Sequence, residues 1–216
     1  MSKSSMLTLL VFLVAIPLLA QPNPSATCSR ATLKGMYGAF AGGTILAPFP
    51  GFPPPPYAGV IVGLHSYDGE GNVKVSYAAS FGGVITPWGA TATGTYSVNP
   101  DCTISASVMA SSGLPANFVG TITGWGMSQE VHIMYTDAYW VNSGTLRRTP
   151  PGRCTQETLR GSYALYGQGF ASVPGFPPML PGAHGGMILA DGHGNLAGKE
   201  TINLAGTSGP SPGAIR

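Results

Sequence analysis

Charge is scarce in this 216-residue chain: only 8% of its residues are Asp, Glu, Lys or Arg, against about a quarter in ordinary soluble domains. With a net charge of +2 and no basic run interleaved with aromatics, it carries no electrostatic footprint for nucleic acid. Cysteine is almost as rare. The three cysteines, Cys28, Cys102 and Cys154, form no CxxC pair and no mixed Cys/His cluster, so the spacing supports neither a metal site nor a redox dithiol. No GxSxG elbow is present, and no GxGxxG opens a helix, so neither a hydrolase serine nor a nucleotide cofactor is indicated. Beyond the first twenty residues no segment has apolar positions at i, i+3 and i+4, which excludes a helical domain.

What is abundant is glycine, 32 residues, and proline, 20 residues. Such counts can signal low complexity, but here the glycines sit between alternating apolar and small polar residues, the pattern of strands and turns. Segment 91–98, TATGTYSV, sets Thr91, Thr93, Thr95 and Ser97 against Ala92, Gly94, Tyr96 and Val98. ISASVMA continues with Ile104, Ala106, Val108 and Ala110 opposite Ser105 and Ser107. A period of two this regular means strands with one dry face. About eight strands are expected, at 34–46, 57–67, 73–81, 91–98, 103–110, 116–123, 128–136 and 138–147. Their short connections imply an antiparallel meander, and eight strands can close into a small barrel with no exposed edge. The fold class is therefore all-β, a meander barrel.

The N-terminus reads as an export signal: Lys3, then the uncharged run MLTLLVFLVAIPLLA, too short to cross a bilayer comfortably. Cleavage is expected after Ala20 or in the Ser25–Ala26 region, with a retained anchor as the alternative. Residues 1–27 are then signal peptide and a short mature start, no stable membrane span remains, and the mature protein is secreted or periplasmic. An oxidising compartment lets cysteines pair. NPDC is a turn that places Cys102 at the start of the fifth strand. A Cys28–Cys102 bridge would close about 75 residues, with an entropic contribution of about 4 kcal/mol, and is expected.

The chain also repeats itself. CSRATLKGMYGAF at Cys28 is answered by CTQETLRGSYALYG at Cys154, PGFPP at 50–54 by PGFPP at 174–178, and DGEGN at 68–72 by DGHGN at 191–195. This reads as a tandem duplication: a first barrel at 28–148, a linker at 149–153, and an incomplete second copy at 154–216 that supplies about three strands. Cys154 would then lack its partner.

C-(x)3-TLKGMYGAF, YDGEGNV, TGTYSVNPDCT and the closing SGTLRR together resemble an uncharacterised group of secreted bacterial proteins. That group is envisaged as small barrels similar to allene oxide cyclase and the lipocalin-like calycins. The match covers 28–148 and part of 154–205. The resemblance implies a small barrel whose interior is packed or holds one small apolar ligand, and it permits a cyclase or isomerase.

Candidate site residues are few. Glu130 and His132 share a strand face and form the best acid/base pair, but Val131, Ile133 and Tyr135 opposite them look dry, which puts the pair in solvent. Tyr37, His65 and Tyr96 are candidates for a ligand-lined lumen, and Phe49, Phe52 and Tyr57 of the proline-rich APFPGFPPPPY for an aromatic lid; the plainer reading is a stiff rim loop. His184 and His193 have no histidine counterparts in the first copy. The Asp-Gly loops read as hairpin turns and not calcium loops, because no further carboxylates follow. Three functions are consistent with this set: a non-catalytic ligand-binding module, a cyclase-like enzyme, or a structural and adhesive repeat.

Overall fold

The computed structural model describes residues 27–48, 54–171 and 180–210. Eight strands close into an antiparallel meander barrel: β1 (Gly35–Ile45), β2 (Tyr57–Tyr67), β3 (Asn72–Phe81), β4 (Val84–Val98), β5 (Thr103–Ala110), β6 (Pro115–Thr123), β7 (Glu130–Tyr135) and β8 (Trp140–Arg148). Closure comes from β1 pairing β8, from Tyr37 opposite Arg148 to Ile45 opposite Trp140. The period of two decides what is inside. Val131 and Ile133 are buried while His132 and Met134 are exposed, and Ile104, Ala106 and Val108 are buried while Ser105 and Ser107 are exposed.

One boundary differs from expectation. β4 begins at Val84 and not near Thr91, because Gly82 and Gly83, both at positive φ, turn the chain in two residues so that Val84 pairs with Phe81. Positive φ at both central positions is the hairpin geometry that glycine supplies at no steric cost. Pro87, which argues against a strand from sequence alone, is tolerated because it falls where the register with β3 jumps from Tyr77–Ala90 to Ala79–Thr86, and because β5 pairs with β4 only from Ala92 onward, so no ladder bond needs its missing N–H.

The barrel is shut at one end by the segment before β1. Cys28 bonds Cys102 across a sequence separation of 74. A short 3-10 turn, Arg30–Leu33, drives Leu33 to 0% exposure. Around it a lower core gathers Tyr37, Tyr67, Tyr96, Val73, Val131 and Leu146. Ile45, Tyr57, Ala79, Phe81 and Trp140 form a separate cluster.

A second sheet follows, in the order β12-β11-β10-β9: β9 (Arg160–Ala171), β10 (Leu180–Asp191), β11 (Leu196–Leu204) and β12 (Thr207–Pro210). It has four strands where about three were expected; β12 is a short return after Ala205 and Gly206. Its register matches that of the barrel's first strands. Tyr37 faces His65 in β1–β2, and Tyr163 faces Ile188 in β9–β10. The turns match as well. Asp68 accepts backbone N–H bonds from Glu70, Gly71 and Asn72 and an amide bond from the Asn72 side chain; Asp191 does the same with His193 and Asn195. No helix among the described residues is long and apolar enough to cross a membrane.

Candidate functional site

The barrel interior is divided by chemistry. At its lower end Tyr37 donates to Gln129 Oε1, and Arg148 donates to the same oxygen from Nε at 3.1 Å and from a terminal nitrogen at 2.8 Å. Arg148 also donates to the Tyr37 hydroxyl at 2.9 Å, and its guanidinium carbon lies 5.2 Å from the Tyr37 ring centroid. Burial raises the Tyr37 hydroxyl above the usual tyrosine range, with Arg148 opposing. Tyr96 donates to the Arg30 carbonyl and accepts from the Gly69 N–H, both at 3.0 Å. These two tyrosines, candidates for lining a ligand site, are placed in the base of the lumen: the Tyr96 hydroxyl bonds the entry segment directly, and Tyr37 bonds Arg148, which donates to the Thr32 carbonyl.

Above the base lies a cavity of about 70 Å3, bordered by Ile61, His65, Val75, Tyr77, Phe118, Tyr135 and Trp140 among others. His65 is 6% exposed, and its Nδ1 lies 3.3 Å from the Tyr67 hydroxyl. Desolvation pushes its pKa down to about 4, because an imidazolium has no charged partner in this surround. His65 is therefore neutral at neutral pH and presents a weakly polar wall. Burial pushes Tyr67 far above the usual range and Tyr135 up to about 12. Both are therefore protonated at neutral pH.

Tyr57 is placed in the cluster with Trp140, 2% exposed. Phe49 and Phe52 lie outside the described residues, as does the rest of 49–53 in the proline-rich loop. Asn142, which sequence reasoning passed over, is 3% exposed, and its amide nitrogen and oxygen are both buried with no hydrogen-bond partner among the described residues. Its strand alternation was the available signal: Asn142 shares a face with Trp140 and Leu146, both buried. It sits over Gly43, where a Cβ would come within 2.4 Å of its oxygen.

Glu130 and His132 are on the outer face, as their alternation implied. They lie 3.8 Å apart, and Arg147 on β8, which the sequence reading did not single out, takes the other Glu130 oxygen at 2.9 Å. The side chains of His132 and Arg147 are 53% and 76% exposed, so the carboxylate is engaged by a solvated cross-strand ion pair. A second His–carboxylate pair joins the neighbouring strands β10 and β11. His184 Nδ1 on β10 lies 2.9 Å from Glu200 Oε2 on β11. By register these two stand where the barrel has Ile61 and Tyr77.

No family model matches the chain, and no curated protein does. Among solved structures, a de novo designed fluorescence-activating β-barrel matches with a TM-score of 0.34 at 16% identity, over 55% of this chain and 94% of its own.

Proposed function

We propose that the protein is an exported, non-catalytic β-barrel module, duplicated in tandem, whose first barrel takes a small apolar ligand between its two core clusters. The observation that carries this reading is the cavity beside His65, where the packing of an otherwise dry interior is interrupted and the wall is apolar except for a neutral imidazole and tyrosine hydroxyls. Its size sets the ligand class. An engineered cavity of about 150 Å3 admits benzene, and drug-sized sites begin at about 300 Å3. About 70 Å3 suits a molecule of a few heavy atoms. Export is supported by the charged-then-apolar start of the chain and by the Cys28–Cys102 bridge. Duplication is supported by the shared register, the shared Asp turns, and Ser29 with Thr32 in the same capping relation as Thr155 with Thr158.

The same small volume favours a second reading, a structural or surface module whose lumen is only imperfectly packed. The cyclase or isomerase alternative rests on the resemblance to allene oxide cyclase and has the least support, since His65 has no carboxylate within its hydrogen-bonding reach and Glu130 and His132 face solvent. Titration of the protein with xenon or a small hydrocarbon, followed by methyl NMR, separates the first two readings. Saturable shifts at Val75, Val108 and Ala110 that vanish in Ala92→Leu, a substitution that fills the cavity, are expected. Failure of every probe to saturate in the wild-type protein would leave the structural module.

A further inference from the structure

We propose that the mouth of the barrel docks on a phospholipid surface of no net charge, and that the β3–β4 hairpin, with Ile85 and Trp88, enters the headgroup layer. Charge is sorted along the barrel axis. Arg30, Asp68, Glu70, Asp101, Glu130 and Arg148 all lie at the base, in the entry segment, the turns or the strand ends beside them. The connections at the mouth, 46–56, 82–83, 111–114 and 136–139, contain a single charged residue, Asp137. Its carboxylate accepts from the Asn117 backbone N–H, the Asn117 side-chain amide and the Trp140 indole. Around it the rim is apolar and open to solvent: Leu46, Val84 and Tyr139 are exposed, and Ile85, Trp88 and Val141 are 73%, 62% and 65% exposed. Such a rim gives a charged partner nothing to pair with. Tryptophan and tyrosine beside aliphatic side chains are the residues that settle at a bilayer interface.

The hairpin presents side chains and withholds its backbone. Gly82 and Gly83 turn the chain, Val84 and Ile85 follow at once, and β5 reaches β4 only from Ala92. One edge of the early β4 is thus uncovered, but Pro87 and the break in the β3–β4 register make it a poor template for an added strand. A peptide that binds by backbone pairing is disfavoured for that reason, whereas a lipid surface requires only apolar area to bury. Because the rim offers no free charge, anionic headgroups and low salt add nothing to docking at this end. The base supplies an internal contrast: Trp125 in the β6–β7 connection is 54% exposed, at the end that holds the charges. The inference uses no residue of the cavity wall, so it stands or falls apart from the ligand reading.

The test mixes the chain as exported, without its N-terminal apolar run, with vesicles of phosphatidylcholine alone or with added phosphatidylglycerol. Equal partitioning into both, insensitive to salt, is expected. Phosphatidylcholine with brominated chains should quench Trp88, read in Trp125→Phe, and leave Trp125, read in Trp88→Phe, unquenched. Ile85→Glu is expected to weaken partitioning at least about tenfold, the order of one lost aliphatic burial. Thr93→Glu, the same charge on an exposed position farther down β4, should leave it unchanged. Retention of the Cys28–Cys102 bridge and of the near-ultraviolet circular dichroism checks that each variant is folded. Absence of binding, or binding that needs phosphatidylglycerol and disappears in salt, would overturn the proposal. So would equal quenching of the two tryptophans, or equal effects of the two glutamates. Self-association that Ile85→Glu abolishes without lipid would assign the mouth to a second copy, and shielding of Trp88 from acrylamide in a lipid-free monomer would assign it to another segment of the chain; either would overturn it too.

Discussion

The first three strands of the barrel and the first three of the second sheet share a register, a capped entry and an Asp-centred turn, yet their side chains have opposite fates. Tyr37 is 0% exposed and its register counterpart Tyr163 38%; Leu33 is 0% exposed and Leu159, before β9, 58%. Among the described residues of the second sheet, Ala190 is the one hydrophobic residue that is buried. Local patterning writes strands and turns equally well in both regions. Burial is a property of closure: β4 to β8 supply the other wall of the first core, and the second sheet has no such wall among its described strands. The hydrophobic contribution, about 25 cal/mol per Å2 of apolar surface removed from water, is therefore realised in the barrel and mostly unrealised in the sheet.

The largest effect expected from breaking this contrast comes from the disulfide. Replacing both Cys28 and Cys102 with serine releases a long loop in the unfolded chain and should cost the barrel about 4 kcal/mol. Denaturant unfolding reads it as a lower midpoint with a steeper slope, because the freed loop exposes more surface in the unfolded chain, while proteolysis of residues 154–210 proceeds as before. A midpoint shift of less than a quarter of that would show that the bridge follows folding without supporting it.

A paired substitution sharpens the comparison. Leu33→Ala should cost about 3 kcal/mol, as full burial in a packed core implies, whereas Leu159→Ala should change stability by less than about 0.5 kcal/mol, as exposed sites do. Equal costs would mean that the second sheet is covered in solution.

The third effect depends on pH and is confined to the barrel. Burial lowers His65 to about 4 in the folded state, while the unfolded chain titrates near 6.5. Between those values the unfolded state binds more protons, so stability is complete above about pH 6.5 and declines as pH falls toward 4, by about 2 to 3 kcal/mol. His65→Ile, which installs the residue found at the matching register position in β10, should remove that slope. Asp68 and Asp191, held below the usual carboxylate range by their turn hydrogen bonds, lose their contribution only at more acid pH, which keeps the two windows apart.

Much of the barrel was legible in the sequence because each strand has one dry face, and a period of two in residues such as Thr91 to Val98 names both the element and its inward side. Cys28 and Cys102 were legible as a pair from export and turn position. What escaped detection depended on contacts between distant strands. Gln129 and Arg148 join Tyr37 only after β1 closes on β8, and His184 meets Glu200 only through the β10–β11 register. The early part of β4 was hidden for a different reason: Pro87 and Gly89 are penalised locally, but they fall in a break of the β3–β4 register where neither neighbouring strand needs their backbone. The depth of Tyr37 and Tyr96 was also unreadable, since alternation assigns a face and says nothing about the level along the barrel axis.

The strap beneath the barrel has a mechanical consequence. A pull applied upstream of Cys28 does not reach β1, because the covalent bond to Cys102 passes the load to the β4–β5 turn. The residues between the two cysteines are shielded. If tension acts between the chain before Cys28 and the chain after β8, only residues 103–148 can pay out, roughly 160 Å of extended polypeptide in place of roughly 400 Å for the whole domain. An oxidised molecule held between two anchors would thus give a short, sharply limited extension, and a reduced one would unravel from end to end.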